Sequence, residues 1–331
     1  MKKTLLRIVG AVFGLLIVAV VGVTLKFFVF SPKMRPAPPM KAPATPAAIA
    51  RGKYLVDHVA GCLGCHSPVQ EDKPGDRIVP GKEGAGRDFG EWAGAPFHLR
   101  GPNLTPDKQF GIGDWTDGEV VRAMREGVSR DGRALFPQMP YLTYRETLND
   151  DDALAIVAYL RTLAPIASTA GRTEIKFPVS MFIRGAPQPL ETSPEGPPPA
   201  SDKLARGKWL LRTASCNDCH DSVNARMEKI PGKALAGGFK FPLPDGKGFV
   251  IAPNITSDAA TGIGSYSDAD LRRVFDEGRG KSGRFLYVMP WSYYSGMTPD
   301  DKDALITALR AAPAVSNIVA PSQVPTDSAT K

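Results

Sequence analysis

The sequence contains one five-residue pattern, Cys-x-x-Cys-His, at two places. It reads CLGCH at residues 62–66 and CNDCH at residues 216–220, and the two motifs use all four cysteines of the chain. Two thiols one helical turn apart, followed directly by an imidazole, form the attachment pattern of a c-type haem. The sequence therefore predicts two covalently bound haems c. The predicted attachment residues are Cys62, Cys65, His66, Cys216, Cys219 and His220.

Two other chemistries use the same thiols. A redox-active dithiol needs a Cys-x-x-Cys pair, and a single zinc site can be built from four thiolates. Neither requires a histidine directly after both pairs, and the chain has only four histidines. The haem interpretation is favoured, and zinc and dithiol chemistry stay open as alternatives.

The N-terminus has the composition of a membrane-targeting segment. Lys2, Lys3 and Arg7 precede an uncharged run from residue 8 to residue 25, and the apolar character continues past Lys26 to Phe30. A cleaved signal sequence needs an apolar run of about 7–15 residues, whereas about 20 residues span a bilayer. The length favours a retained anchor over residues 1–30, followed by a proline-rich spacer over residues 31–46. A processing site in the alanine-rich stretch at residues 42–48 is the alternative.

The formal charge of +7 comes from the first fifty residues. They hold seven of the 41 Lys and Arg residues and none of the 34 Asp and Glu residues, so the rest of the chain is formally neutral. No nucleic-acid-binding face is expected. Proteins with covalent haem acquire it outside the cytoplasmic membrane, so we expect a single anchor in that membrane and soluble domains in the periplasm.

The similarity between the two halves extends well beyond the cysteines. Five further motifs recur at an offset that drifts only from 155 to 150 residues. A period of this length indicates a duplicated domain and not a solenoid. We predict domains over residues 47–164 and 201–312, a proline-rich linker over residues 165–200 and a flexible tail over residues 313–331. The recurring motifs are Ala-Arg-Gly-Lys (50–53 and 205–208), Pro-Gly-Lys (80–82 and 231–233), Pro-Asn-Leu/Ile-Thr (102–105 and 253–256), Gly-Ile-Gly (111–113 and 262–264) and Met-Pro (139–140 and 289–290).

Both halves predict the same helices. One helix precedes each cysteine motif, a second begins at a Ser or Thr cap and ends at a glycine, and a third follows each Met-Pro pair. Loops rich in glycine and proline connect these helices, which suits a mostly α fold whose core is partly supplied by the haem. The predicted helices cover residues 46–59, 116–127, 149–160, 202–213, 267–278 and 298–310.

The repeat also selects the second axial ligands of the iron atoms. His66 and His220 supply one ligand each, and Met139 and Met289 stand at equivalent loop positions before the last helix of each half. A thioether ligand fits, because His/Met ligation raises the reduction potential. The alternative is that these methionines only fill the core. His98 is a rival ligand in the first half, and His58 lies too near Cys62 to reach the opposite haem face.

Three sets of residues that recur in both halves can each be interpreted in two ways. Asn103 and Asn254 either tie turns or donate hydrogen bonds to haem propionates. The Gly-Ile-Gly segments either form turns or present loop amides to the propionates. Trp115 and its counterpart Tyr266 either shield a haem edge or fill the core, and Met124 is read as a core residue of its helix.

These motifs, in this order and spacing, resemble the membrane-bound multihaem cytochrome c subunits of bacterial periplasmic alcohol, gluconate and related dehydrogenases. The resemblance covers residues 48–312. It implies a mostly α fold with two tandem class I cytochrome c domains after an N-terminal transmembrane helix. It also implies electron transfer from a dehydrogenase, with a quinone, a cytochrome or a terminal oxidase as acceptor. Such subunits usually have three haem domains, whereas this chain has two motifs.

The sequence therefore predicts an electron-transfer protein without independent catalytic activity. The first alternative is a dihaem cytochrome c peroxidase, which needs one haem with an open or displaceable position for peroxide. A methionine in each half counts against it. The second alternative is the cytochrome c subunit of a terminal oxidase, which would look much like this chain.

Overall fold

The computed structural model describes residues 2–70, 75, 77–91, 95–225, 227–243 and 248–324. Helices are its main regular structure, and π-helical turns at Leu25–Val29 and Leu55–Val59 extend the first two of them. The described helices are α1 (Lys2–Thr24), α2 (Pro46–Tyr54), α3 (Cys62–His66), α4 (Asp117–Glu126), α5 (Tyr141–Thr147), α6 (Asp150–Leu160), α7 (Val179–Phe182), α8 (Lys203–Thr213), α9 (Cys216–His220), α10 (Asp268–Glu277), α11 (Trp291–Tyr294) and α12 (Pro299–Ala311).

Short strands lie at the edges of the helical core. β1 (Arg87–Glu91), β2 (Phe97–Gly101) and β3 (Glu174–Ile175) form an antiparallel sheet in that order. β4 (Lys240–Pro242) and β5 (Phe249–Ile251) form an antiparallel pair. The segment predicted as a linker thus contributes a strand to the sheet of the first half.

The N-terminal helix stands apart from the rest. From Lys2 to Val29 it is long and apolar enough to cross a membrane, and none of its described residues is buried. This agrees with the expected anchor. The proline-rich residues that follow lie against α4: Arg35 donates two hydrogen bonds to the buried Glu126, and the Ala42 amide donates to Asp117 Oδ2 at 2.9 Å.

The recurring Ala-Arg-Gly-Lys motif holds two helix crossings. α2 crosses α6 at Gly52, where a Cβ would lie 1.8 Å from the Ala155 carbonyl oxygen. α8 crosses α12 at Gly207, where a Cβ would lie 1.9 Å from the Ala304 oxygen. Only glycine lets two backbones approach this closely.

The arginine beside each glycine closes the same crossing with an ion pair. Arg51 makes two hydrogen bonds of 2.8 Å to Asp152 on α6, and Arg206 pairs with the buried Asp301 on α12. Both carboxylates lie in the first turn of their helix, where the macrodipole also favours a negative charge. One motif of the sequence therefore supplies both the close packing and the ion pair.

The predicted caps are confirmed. Thr116 and Glu119 form a capping box at the start of α4, which ends at Gly127 with φ 73°. Ser267 and Asp270 form the equivalent box on α10. Asn149 and Thr298 accept hydrogen bonds from backbone amides at the starts of α6 and α12.

Two aromatic side chains at equivalent repeat positions tie the halves together. The Tyr54 hydroxyl donates to Asp301 at 2.5 Å, and Trp209 Nε1 donates to the Thr147 carbonyl at 2.7 Å. Burial, together with the hydrogen bond to Asp301, raises the pKa of Tyr54 to about 12. Residues 313–324 also pack against the second half, where Gln323 pairs with Phe249.

The glycine crossings lead to a stability prediction. Replacing Gly52 or Gly207 with alanine should lower the free energy of unfolding by about 2–3 kcal/mol, because the added methyl forces the helices apart. Urea unfolding of the full chain, followed by far-UV circular dichroism, measures this change. Gly14→Ala is the matched control, since nothing lies within 4 Å of the Cβ position there. Unchanged midpoints in G52A and G207A would contradict the packing described.

Candidate haem-binding cavity

Each cysteine motif forms a five-residue helix after a residue with left-handed backbone. Gly61 (φ 59°) precedes α3, and Ser215 (φ 57°) precedes α9. This conformation turns the chain sharply out of the preceding helix. It costs little for glycine but about 1–2 kcal/mol for other residues. The short helices place both thiols of each pair on one side, three residues apart, with the histidine directly after them.

A backbone carbonyl orients each motif histidine. His66 Nδ1 lies 2.7 Å from the Pro102 oxygen, and His220 Nδ1 lies 2.8 Å from the Pro253 oxygen. In the neutral imidazole this arrangement places the proton on Nδ1 and leaves the Nε2 lone pair free to bind a metal. Burial lowers the pKa of both histidines, which also favours the neutral form.

Both motifs line one continuous cavity of about 1070 Å³ in the described part of the chain. Pockets for a single small ligand usually measure about 300–1,000 Å³. The cavity walls carry the residues that a covalently attached haem requires, namely thiols, an oriented imidazole and apolar side chains, so the donor set fits this group. The predicted site residues on its walls are Cys62, Cys65, His66, Met139, Cys216, Cys219, His220 and Met289.

The two predicted methionines occupy the same local structure in each half. Met139 and Met289 are partly buried, and the proline after each caps the next helix, α5 or α11. Met124, read from the sequence as a core residue, also lines the cavity and is 5% exposed. It is therefore the natural control residue for the ligand prediction.

The two remaining histidines do not line the cavity. His98 Nε2 lies 2.6 Å from Asp88 Oδ1, and Arg100 donates to its Nδ1. His58 Nδ1 lies 3.0 Å from the Tyr293 carbonyl oxygen. Neither position supports a role as axial ligand, and the rival assignment of His98 loses its basis.

The buried asparagines tie loops and have no amide hydrogen to spare. Asn103 Nδ2 donates to the carbonyls of Ile166 and Ser168, while its Oδ1 accepts from Thr105. Asn254 Nδ2 likewise donates to the Val315 carbonyl and to Thr261 Oγ1, while its Oδ1 accepts from Thr256. The turn-forming reading is therefore favoured over propionate binding. Each asparagine follows the proline whose carbonyl orients a motif histidine.

The thiol environment disfavours dithiol and zinc chemistry. Burial, followed by the charge of the paired cysteine, raises the pKa of Cys62 and of Cys216 to about 12, and burial also raises that of Cys219 to about 12. Reactive thiols of redox-active pairs have lowered values, so these buried thiols do not suit dithiol chemistry. Among the described residues, no group of three or more His, Cys, Asp or Glu side chains is placed to hold a metal ion.

Sequence reasoning missed a pair of arginines that hold the Gly-Ile-Gly loops. Arg161 donates to the carbonyls of Ile112 (2.6 Å) and Trp115 (2.5 Å) and to Asp117. Arg310 makes the equivalent contacts with Ile263, Tyr266 and Asp268. Because they stand at equivalent positions of the repeat, at the ends of α6 and α12, the sequence could have indicated them. Trp115 and Tyr266 line the cavity and also pack against the core, which is compatible both with shielding of a haem edge and with filling of the core.

Two buried tyrosines beside the motifs were also missed. The Tyr144 hydroxyl donates to the Ala60 carbonyl at 3.2 Å, and the Tyr294 hydroxyl donates to the Ala214 carbonyl at 3.0 Å. Both line the cavity, and burial raises the pKa of each well above the usual value. They stand five residues after Met139 and Met289, so the repeat itself pointed to them.

Cationic side chains also reach the cavity, chiefly from the first half. Arg87 Nη1 donates to the Gly64 carbonyl inside the first motif at 2.8 Å. Such groups are suitable partners for the carboxylates of a haem. The arginines that line the cavity are Arg87, Arg100, Arg130, Arg133, Arg172 and Arg284.

Paired thiols followed by an oriented histidine, on an apolar cavity within a helical fold, define a protein that carries covalent haem. Residues 49–164 match the family model described as Cytochrome c. This part of the chain is a cytochrome c domain, a class whose cysteines bind haem c through covalent thioether bonds.

Whole-chain comparisons find cytochrome subunits of dehydrogenases. The chain is 30% identical over 293 residues to the fructose dehydrogenase cytochrome subunit of Gluconobacter japonicus, covering 85% of this chain and 56% of that protein. It is 30% identical over 247 residues to the gluconate 2-dehydrogenase cytochrome c subunit of Pantoea cypripedii, covering 71% and 52%. The chain thus spans about half the length of these relatives.

A relative of similar length is also found. A protein of Cereibacter sphaeroides named as a diheme cytochrome c-type is 26% identical over 265 residues, which cover 77% of this chain and 83% of that protein. The resemblance to the cytochrome c subunits of dehydrogenases, inferred from the motifs, is confirmed.

Proposed function

We propose that this chain is a membrane-anchored dihaem cytochrome c that carries electrons from a dehydrogenase towards the respiratory chain. One observation carries the proposal: two Cys-x-x-Cys-His motifs, each with an oriented histidine, and one methionine from each half line a single cavity. Two redox groups held in one cavity would lie in the same part of the protein, as a relay of single electrons between them requires.

The proposal includes two tandem cytochrome c domains at residues 47–164 and 201–312. Equivalent contacts in the two halves support this division. They comprise the glycine crossings, the capping boxes, the proline carbonyls that hold the histidines and the arginines on the Gly-Ile-Gly loops. Residues 165–200 join the domains, and residues 313–331 follow the second one.

In each domain the protein residues have separate tasks. Cys62 and Cys65 would hold the first haem covalently and Cys216 and Cys219 the second. His66 and Met139 would hold the iron of the first haem, and His220 and Met289 would hold that of the second. The other two histidines, His58 and His98, are not proposed as ligands because they make hydrogen bonds elsewhere.

A bound haem iron supplies one-electron exchange between its ferric and ferrous states. The carbonyls of Pro102 and Pro253 keep each histidine in the tautomer that presents Nε2. Apolar walls exclude water, which favours the less charged, reduced state and so raises the potential. If each iron takes one histidine and one methionine as proposed, neither haem would offer an open position for a substrate.

The membrane location is part of the same proposal. The unburied helix Lys2–Val29 is proposed to anchor the chain in the cytoplasmic membrane, with the remaining residues in the periplasm. The contacts of residues 31–45 with α4 support a soluble part held close to the end of this helix.

The proposed electron donor is a periplasmic or membrane-bound dehydrogenase, and the acceptor is a quinone, a cytochrome or a terminal oxidase. The names of the relatives, which are cytochrome subunits of fructose and gluconate dehydrogenases, support the donor. A dihaem peroxidase is less favoured because a methionine lines the cavity in each half. A role as a terminal oxidase subunit finds no support in the names of these relatives.

Haem content is the first test. The purified full chain should carry two covalent haems, and the double variants C62S/C65S and C216S/C219S should carry one each, because each pair attaches its own ring. Quantitative haem assay and intact-mass measurement give these numbers. A haem-free, zinc-containing protein would contradict the proposal.

The axial ligands are tested separately. Met139→Leu and Met289→Leu should each remove one methionine–iron spectroscopic signature and lower one midpoint potential by on the order of 0.1 V, part of the roughly 0.8 V range set by axial ligands. Met124→Leu, in the same cavity, should leave both signatures unchanged. If M139L keeps both signatures, the assignment of Met139 is wrong.

The partner is tested by mild solubilisation and purification of the anchored chain from its native membrane. We expect a dehydrogenase subunit to copurify, and its substrate to reduce the haem of the complex, because electrons enter through that contact. Reduction is followed by visible absorption, with C62S/C65S as the comparison. Copurification with an oxidase core, or rapid peroxide turnover by the unmodified chain, would favour the alternatives instead.

A further inference from the structure

We propose that residues 177–185 form a second membrane contact, which lies in the lipid headgroup region beside the end of the N-terminal helix and fixes the orientation of the soluble part on the bilayer. This inference rests on the membrane anchoring proposed above. It does not depend on the haems or on the identity of the donor.

Arg184 attaches this segment to the end of the anchor. Its Nε donates to the Phe27 carbonyl at 2.6 Å, its Nη2 donates to the Ser31 carbonyl at 2.8 Å, and its guanidinium lies 5.5 Å from the centroid of the Phe28 ring. The last carbonyls of a helix have no partner within the helix. A cationic side chain that donates hydrogen bonds to these carbonyls supplies the missing partner at the point where the helix leaves the membrane.

Ring packing brings the segment onto the helix. The rings of Phe27 and Phe182 meet edge to face, with centroids 5.6 Å apart. A Cβ at Gly185 would lie 3.2 Å from the Phe27 ring, so the backbone of the segment is itself close to the anchor. The position of Phe182 therefore follows that of Phe27.

The length of the apolar run places Phe27 at the interface. The uncharged run from Ile8 to Leu25 is about 27 Å long as a helix. A bilayer has a hydrocarbon core of about 30 Å. When this run fills the core, Lys26 and Phe27 lie at the boundary with the headgroups, where aromatic and cationic side chains are favoured.

The exposed faces of the segment fit a bilayer. Phe177 is 73% exposed and Phe182 is 56% exposed, while Phe28 and Phe30 on the anchor are 54% and 67% exposed. A cluster of exposed aromatic residues marks an interaction surface. Since it is continuous with a membrane-crossing helix, lipid is the occupant that the geometry favours. The cationic Lys176 beside it suits anionic headgroups.

The soluble part is then held at three places. The spacer is attached to α4 through Arg35 and Ala42, Arg184 is attached to the anchor, and Phe177 and Phe182 enter the interface. A single flexible tether would allow free rotation, whereas these contacts set one face of the protein towards the membrane.

The test uses the full chain in nanodiscs of phosphatidylcholine and phosphatidylglycerol that carry a photoactivatable group in the acyl chain near the headgroup. Mass spectrometry then maps the crosslinked peptides. We expect crosslinks in the anchor and in residues 177–185, and none in the peptide that contains Ile318, which is 89% exposed on the soluble part.

The double variant F177S/F182S should lower crosslinking of the segment about tenfold, equivalent to about 1.4 kcal/mol, because both apolar side chains leave the interface. I318S is the matched control and should change nothing, and thermal unfolding confirms that all proteins are folded. Crosslinks in the anchor without any in residues 177–185 would overturn this inference alone. No crosslinks in either would overturn the membrane anchoring. If residues 177–185 were protected from crosslinking only in the native complex, the surface would be a contact with a protein partner, and the inference would be overturned.

Discussion

The backbone contact of Gly52 with Ala155, repeated by Gly207 with Ala304, is the constraint on which the rest of the structure depends. It brings the helix before each cysteine motif directly against the last helix of the same half. The cysteine motif follows the first helix of this pair, and the methionine loop precedes the second. Because the crossing leaves no room for a side chain, backbone atoms set the distance between the two helices. The ion pairs Arg51–Asp152 and Arg206–Asp301 link the same two helices in each half.

The cavity depends on this frame and on contacts between the halves. Most of the residues that would hold a haem project from short helices and loops that have little regular structure of their own. Hydrogen bonds to backbone carbonyls compensate for this: Pro102 and Pro253 hold the histidines, and Arg161 and Arg310 hold the loops. Tyr54 and Trp209 join the two halves around one cavity, which both cysteine motifs line.

The connecting segments position the soluble part as well as joining its pieces. Arg35 and the Ala42 amide of the spacer donate to carboxylates of α4, and Arg184 donates to carbonyls at and just after the end of the N-terminal helix. Proline-rich segments suit this task because they lose little conformational freedom when they are held in place. If the N-terminal helix anchors the chain as proposed, these contacts would keep the same face of the protein towards its partners at each encounter.

The sequence by itself determined the two motifs, the recurrence of the motifs around them, the helix ends and the cytochrome c family of the first half, because these are written in residue types at short, fixed spacings. The caps at Thr116 and Asn149 are examples. Only the tertiary structure decided that both motifs share one cavity, that Asn103 ties a loop to Ile166, and that His98 pairs with Asp88 away from the cavity. These contacts join residues at separations, or on faces, that local periodicity does not encode, so the packing of the helices selects among them.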